Sequence, residues 1–80
     1  MLLSYIESAM RKAKYEILED DKSYYGEIQG FNGVYANSDN LEDCRLQLRE
    51  VLEEWILVRV SKNLPLPRIN GKTIKVNKVA

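Results

Sequence analysis

Tyr24-Tyr25-Gly26-Glu27-Ile28-Gln29-Gly30-Phe31-Asn32-Gly33-Val34-Tyr35-Ala36, followed by Asp39-Asn40-Leu41-Glu42-Asp43-Cys44, carries the signals from which the rest of the chain can be placed. Its first half alternates. Tyr24, Gly26 and Ile28 face one way and Tyr25 and Glu27 the other, the period of a half-buried strand. Gly30 and Gly33 bracket a tight connection around Phe31-Asn32, and Val34-Tyr35-Ala36 reads as a third short strand. Asn37-Ser38-Asp39-Asn40 is rich in helix-capping residues, and Glu42 and Asp43 fall in the first turn of the next element, where the helix dipole favours acids.

Upstream of this stretch, Tyr15 and Ile17 alternate with Lys14 and Glu16 in a first strand. The polar run Asp20-Asp21-Lys22-Ser23 turns it into the second. Further back, Leu2, Leu3, Ile6, Met10 and Ala13 have helical spacing, and Ser4 to Glu7 fits a capping box. Downstream, Leu41, Cys44, Leu48, Val51, Leu52, Trp55 and Val58 recur every three or four residues, so a long helix should lay this stripe on the sheet. Asn63 can close that helix in a left-handed conformation, and Leu64-Pro65-Leu66-Pro67 must leave it extended. Asn70-Gly71 signals a hairpin turn, with Lys72 to Val76 alternating as an edge strand beyond it.

The expected architecture is α+β, a single domain over residues 1–80. A short N-terminal helix (1–13) precedes an antiparallel meander (14–36), one long helix (40–62) and an extended exit with an edge strand (64–80). The sheet has three or four strands, in a β-β-β-α-β core.

Eighty residues support one modest core. Self-association or a partner should therefore matter to its stability. From Trp55 to Val60 the long helix is apolar almost all round, and Trp55, Ile56 and Val60 are the candidate contacts to a second copy, giving a dimer or tetramer. Twelve basic and twelve acidic residues balance, so no overall positive field draws the chain to nucleic acid or an anionic membrane. The single cysteine, Cys44, cannot form an internal bridge, which favours a reducing compartment. The apolar Met1-Leu2-Leu3 is interrupted too soon for a signal core or a membrane span. A cytoplasmic protein is expected.

Histidine is absent, and with it the commonest general acid-base group and any Ser-His or Cys-His pair. On the apolar stripe, Cys44 reads as an inert buried thiol. The acids at Glu19-Asp20-Asp21, Glu42-Asp43 and Glu53-Glu54 suit a solvated turn, a helix start and a solvated helix face. No catalytic, cofactor-binding or metal-ligating set emerges, and no enzyme is expected. A magnesium-dependent nuclease using Asp39 and Glu27 is the opposing expectation. The aromatics are the unusual feature. Tyr25 and Tyr35 fall with Lys14, Glu16 and Glu27 on the sheet face opposite the core. They could be roofed by the first helix, contact a protein, or stack on bases.

Taken together, these segments resemble the HicB antitoxin family over roughly residues 14–68. The shared features are the tyrosine-bearing strand, the glycine-aromatic connection, the Asp39 to Cys44 helix start and the Pro65-x-Pro67 exit. The chain departs from the family pattern at Gln29, Ser38, Asn40 and Asp43-Cys44, each keeping the local physics. The resemblance implies a ribonuclease-H-like domain without catalysis that oligomerises and neutralises a HicA-like toxin, a small basic protein that cleaves messenger RNA. Tyr25, Glu27, Phe31, Tyr35 and Asp39 are the candidate partner contacts. About a dozen residues follow Pro67, too few for the family's DNA-binding segment, so operator binding is not expected. The alternative is an orphan oligomeric regulatory domain with no toxin partner.

Overall fold

A computed structural model of the chain describes residues 2–69. The elements are α1 (Leu2–Arg11), β1 (Ala13–Ile17), β2 (Tyr24–Ile28), β3 (Tyr35–Ser38) and α2 (Leu41–Ser61). The strands form an antiparallel sheet in the order β1-β2-β3. The protein is thus α+β with the expected β-β-β-α succession. The predicted strand at Lys72 to Val76 and its Asn70-Gly71 turn lie outside the described residues.

Register follows from alternation. Tyr15 pairs with Gly26, Glu16 with Tyr25 and Lys14 with Glu27, while Gly26 pairs with Ala36 and Glu27 with Tyr35. Gly26, Ile28 and Ala36 consequently share one face and are buried. The connection between β2 and β3 is two successive turns, in which Phe31 N–H donates to Ile28 O at 3.2 Å and Val34 N–H to Phe31 O at 3.2 Å. Gly30 (φ 87°) and Gly33 (φ 90°) take the third position of each turn, where a positive φ is what glycine supplies without steric cost. Val34 therefore ends a turn instead of beginning a strand, and β3 runs later than the expected 34–36.

α2 starts where the capping signal lies. Asn40 is extended (φ −136°, ψ 163°), and its Oδ1 accepts the Asp43 N–H at 2.8 Å. Asn63 (φ 58°) ends the helix. Its N–H donates to Val60 O at 3.0 Å and that of Leu64 to Arg59 O at 2.8 Å, the paired bonds of a Schellman motif. The buried positions of α2 are Cys44, Leu48, Leu52 and Ile56, a line of four-residue steps that falls on one side at 100° per residue. Leu41 and Val58, expected on that side, are exposed, and Ile56, expected at an oligomer contact, is core.

α1 begins at Leu2, so Ser4 lies inside its first turn instead of capping it. It runs antiparallel to α2. Met10 borders Arg45 and Leu46, while the Tyr5 hydroxyl donates to the Pro67 carbonyl beyond the far end of α2. Tyr5, Ile6 and Ala9 enter the core beside Phe31, with Leu66 and Ile69 of the exit segment closing it. Both helices thus occupy the Gly26 side of the sheet. Among the described residues, no helix is long and apolar enough to cross a membrane.

Candidate protein-binding face

With both helices on one side, no helix among the described residues covers the opposite face of the sheet. α1 does not roof it. Two cross-strand rows lie there, Glu16-Tyr25-Asn37 and Lys14-Glu27-Tyr35. Tyr25 and Tyr35 are diagonal neighbours across β2 and β3, with ring centroids 6.1 Å apart and planes 28° from parallel. Tyr35 is 57% exposed. An aromatic pair in this offset arrangement is favourable in itself, yet here neither helix covers it.

Two carboxylates flank the pair. The Tyr25 hydroxyl donates to Glu27 Oε1 at 3.2 Å, and Glu16 stands across the strand from Tyr25. Partial burial first, then the bond to Glu27 and the charges of Glu27 and Glu16, push the Tyr25 hydroxyl above its ordinary pKa. The phenol stays neutral and remains a donor at pH 7. Lys14 is the one cation in these two rows and makes no ion pair with Glu27, since Arg49–Glu53 is the only salt bridge among the described residues.

The β1–β2 turn, at the same end of the sheet as Glu16, carries the exposed acids Glu19, Asp20 and Asp21. Asp21 accepts from Ser23 Oγ at 2.7 Å and Ser23 N at 3.1 Å. These bonds hold its carboxyl below the usual pKa, and Asn37 Nδ2 fastens the turn to β3 by donating to Ser23 Oγ and to Tyr24 O, both at 2.8 Å. Exposed Asp39, just past β3, extends the acidic rim. Tyr25, Glu27, Tyr35 and Asp39 therefore lie at the surface. Phe31 does not. It is 4% exposed and packs between Tyr5 and Trp55. Glu16, which completes the carboxylate pair, is not among the contacts expected from sequence, although alternation alone places it on this face.

The arrangement offers aromatic surface, acceptors and negative charge. Glu27 and Asp39 do not converge: Tyr35, the partner of Glu27, precedes Asp39 by four residues, about 13 Å of strand. Among the described residues, no group of three or more potential ligands is placed to hold a metal ion. The Cys44 thiol is buried, its Sγ lies 3.7 Å from Ala36 O, and burial raises its pKa, the opposite of an activated thiolate.

A second surface lies at the C-terminal half of α2. Trp55 is half-buried, its indole N–H donates to Asn32 O at 2.9 Å and Arg59 Cζ sits 4.9 Å from its ring centroid. Val60 is exposed, and so, more fully, are Leu57 (66%) and Val58 (51%). Leu57 lies almost opposite the buried line on the helical wheel, which is the signal that would have singled it out.

Comparison with known proteins yields a solved structure, that of TTHA0281 from Thermus thermophilus, to which the chain is similar. The two share 36% sequence identity, the match covers 92% of this chain and 91% of that one, and the TM-score is 0.87. No curated protein matches. The sequence pattern of the UPF0150-like family matches residues 4–67, a span that takes in most of α1, the whole sheet, α2 and the exit as far as Pro67. The chain belongs to the UPF0150-like family.

Proposed function

We propose that this chain is a non-catalytic protein-binding module, an antitoxin of the HicA/HicB-like kind that neutralises a small basic messenger-RNA-cleaving toxin in the cytoplasm. The observation that carries the reading is the exposed Tyr25–Tyr35 pair, set among carboxylates on a sheet face that neither helix covers. Aromatic anchors supply most of the grip in protein interfaces, and charge complementarity supplies orientation and speed. A toxin must present a basic surface to hold RNA, and an acidic, aromatic face is its complement. Membership of the UPF0150-like family and the resemblance to HicB antitoxins support the same reading.

The reading predicts a small basic protein encoded beside this chain, and light scattering on the chain alone and mixed with that protein tests the proposal. A stable complex that is lost in the Tyr25→Ala/Tyr35→Ala variant is the expected result. Failure of the wild-type chain to form any complex would remove the reading.

A second reading, an orphan domain that only self-associates, is favoured by the exposed Leu57, Val58 and Val60 on α2. It predicts an oligomer whose mass is unchanged by the basic protein.

A further inference from the structure

We infer that Tyr25, Tyr35, Glu16 and Glu27 form a seat for one arginine side chain of the protein that docks on the outer face, an inference that rests on the docking reading above. Three features of the face lead there. The aromatic pair stands on the sheet face that neither helix covers, with Tyr35 57% exposed, and a cation within about 6 Å of a ring centroid is attracted by the negative ring face. Glu27 uses one oxygen to accept from the Tyr25 hydroxyl, which leaves most of the acceptor capacity of its carboxylate free. Glu16, the β1 partner of Tyr25, supplies a second carboxylate on the same face. The two cross-strand rows carry a net charge of −1 (Glu16 and Glu27 against Lys14). They lack an ion pair of their own to compete with an incoming one.

Arginine fits these features better than lysine. Its planar guanidinium stacks on an aromatic ring while its edge N–H groups bond a carboxylate, whereas an ammonium is a compact, strongly hydrated point charge. The chain already places an arginine over an aromatic ring, Arg59 Cζ lying 4.9 Å from the Trp55 centroid while its Nε donates to Pro65 O. On the outer face, the neutral Tyr25 hydroxyl keeps Glu27 directed along the strand beside the rings, so the stacking surface and the acceptor are adjacent before the partner arrives. This preorganisation reduces the ordering cost of binding.

The test is an NMR titration of the full-length, isotope-labelled chain with the peptide Gly-Arg-Gly-Arg-Gly and with its lysine and citrulline counterparts. The expected result is a saturable shift of the Glu16, Tyr25, Glu27 and Tyr35 amides with the arginine peptide, weaker with lysine and absent with uncharged citrulline. Tyr35→Leu should weaken arginine-peptide binding about tenfold and Glu27→Gln about fivefold, both in chains whose circular dichroism spectrum matches that of the wild type, because the two side chains are exposed. Equal responses to the arginine and citrulline peptides, equal responses to arginine and lysine, or indifference to both substitutions would overturn the seat. If the arginine peptide fails while the basic protein still forms its complex, the docking reading stands and the seat falls. If the peptide binds as described and no basic protein forms a complex, the seat stands and the antitoxin reading falls.

Discussion

Tyr15 lies against Gly26: a β-carbon built at residue 26 would stand 2.8 Å from two carbons of the Tyr15 ring and 3.3 Å from the Cys44 sulfur. The two residues are cross-strand partners, and the missing side chain is what lets β1 and α2 close over the middle of β2. Gly26→Ala should therefore destabilise the protein by about 1–3 kcal/mol through overpacking, read from chemical denaturation. The double variant Gly26→Ala/Tyr15→Ala should show less loss than the sum of the two single variants. Simple additivity would mean that the close approach carries no energetic weight.

The start of α2 depends on one side chain. Asn40→Ala removes the acceptor for the Asp43 N–H and should cost about 1 kcal/mol. Asn40→Asp, which keeps the oxygen, should cost less. Thermal unfolding of the two variants separates the cap from a general sensitivity at this position.

Tyr5 makes stability fall in alkali. Burial, partly offset by the positive charge of Arg59, pushes its hydroxyl from 10.0 up to about 12, and that hydroxyl donates to the Pro67 carbonyl. Below pH 10 the group is neutral in both folded and unfolded chains and contributes no pH dependence. Between pH 10 and 12 only the unfolded chain loses the proton, so folding weakens as pH rises, by up to about 2 kcal/mol. Tyr5→Phe should flatten much of this alkaline limb, leaving the contributions of Tyr15, Tyr25 and the buried Cys44 thiol, which are also raised. It should also cost about 1 kcal/mol at neutral pH for the lost hydrogen bond. Denaturation midpoints from pH 7 to 12 check both.

Trp55 ties α2 to the connection between β2 and β3, through its bond to Asn32 and its 5.1 Å ring contact with Phe31. Trp55→Phe keeps a ring against Phe31 but loses the bond, and should cost about 1–2 kcal/mol. Trp55→Ala should cost about 3 kcal/mol or more. Circular dichroism follows both, since the chain's single tryptophan is the residue being changed. If the two variants prove equally stable, the ring packing contributes little.

Local signals in the sequence carry most of the fold. Alternation sets which residues of β1 and β2 face inward, Asn40 marks the start of α2, and Gly30 and Gly33 sit where the backbone needs a positive φ. Val34 reads as a strand residue because an apolar residue ending a turn and one beginning a strand look alike when both point inward. Leu41 and Val58 read as part of the buried stripe, and Ile56 as outside it, because three- and four-residue spacing tolerates a wide arc, whereas packing on a small sheet selects a narrow one. The side of the sheet taken by α1 is not legible at all. That choice depends on Tyr5 reaching Phe31 and Pro67, contacts remote in sequence, and it is the choice that leaves Tyr25 and Tyr35 uncovered by either helix.

Whether the outer aromatic face neutralises a toxin is decided by the growth of cells producing the small basic protein that the proposal predicts beside this chain, with and without this chain. The wild-type chain should relieve the arrest, and Tyr25→Ala/Tyr35→Ala, folded but stripped of its outer aromatics, should not. Rescue by the double variant equal to that by the wild type, or arrest that neither relieves, would contradict this role.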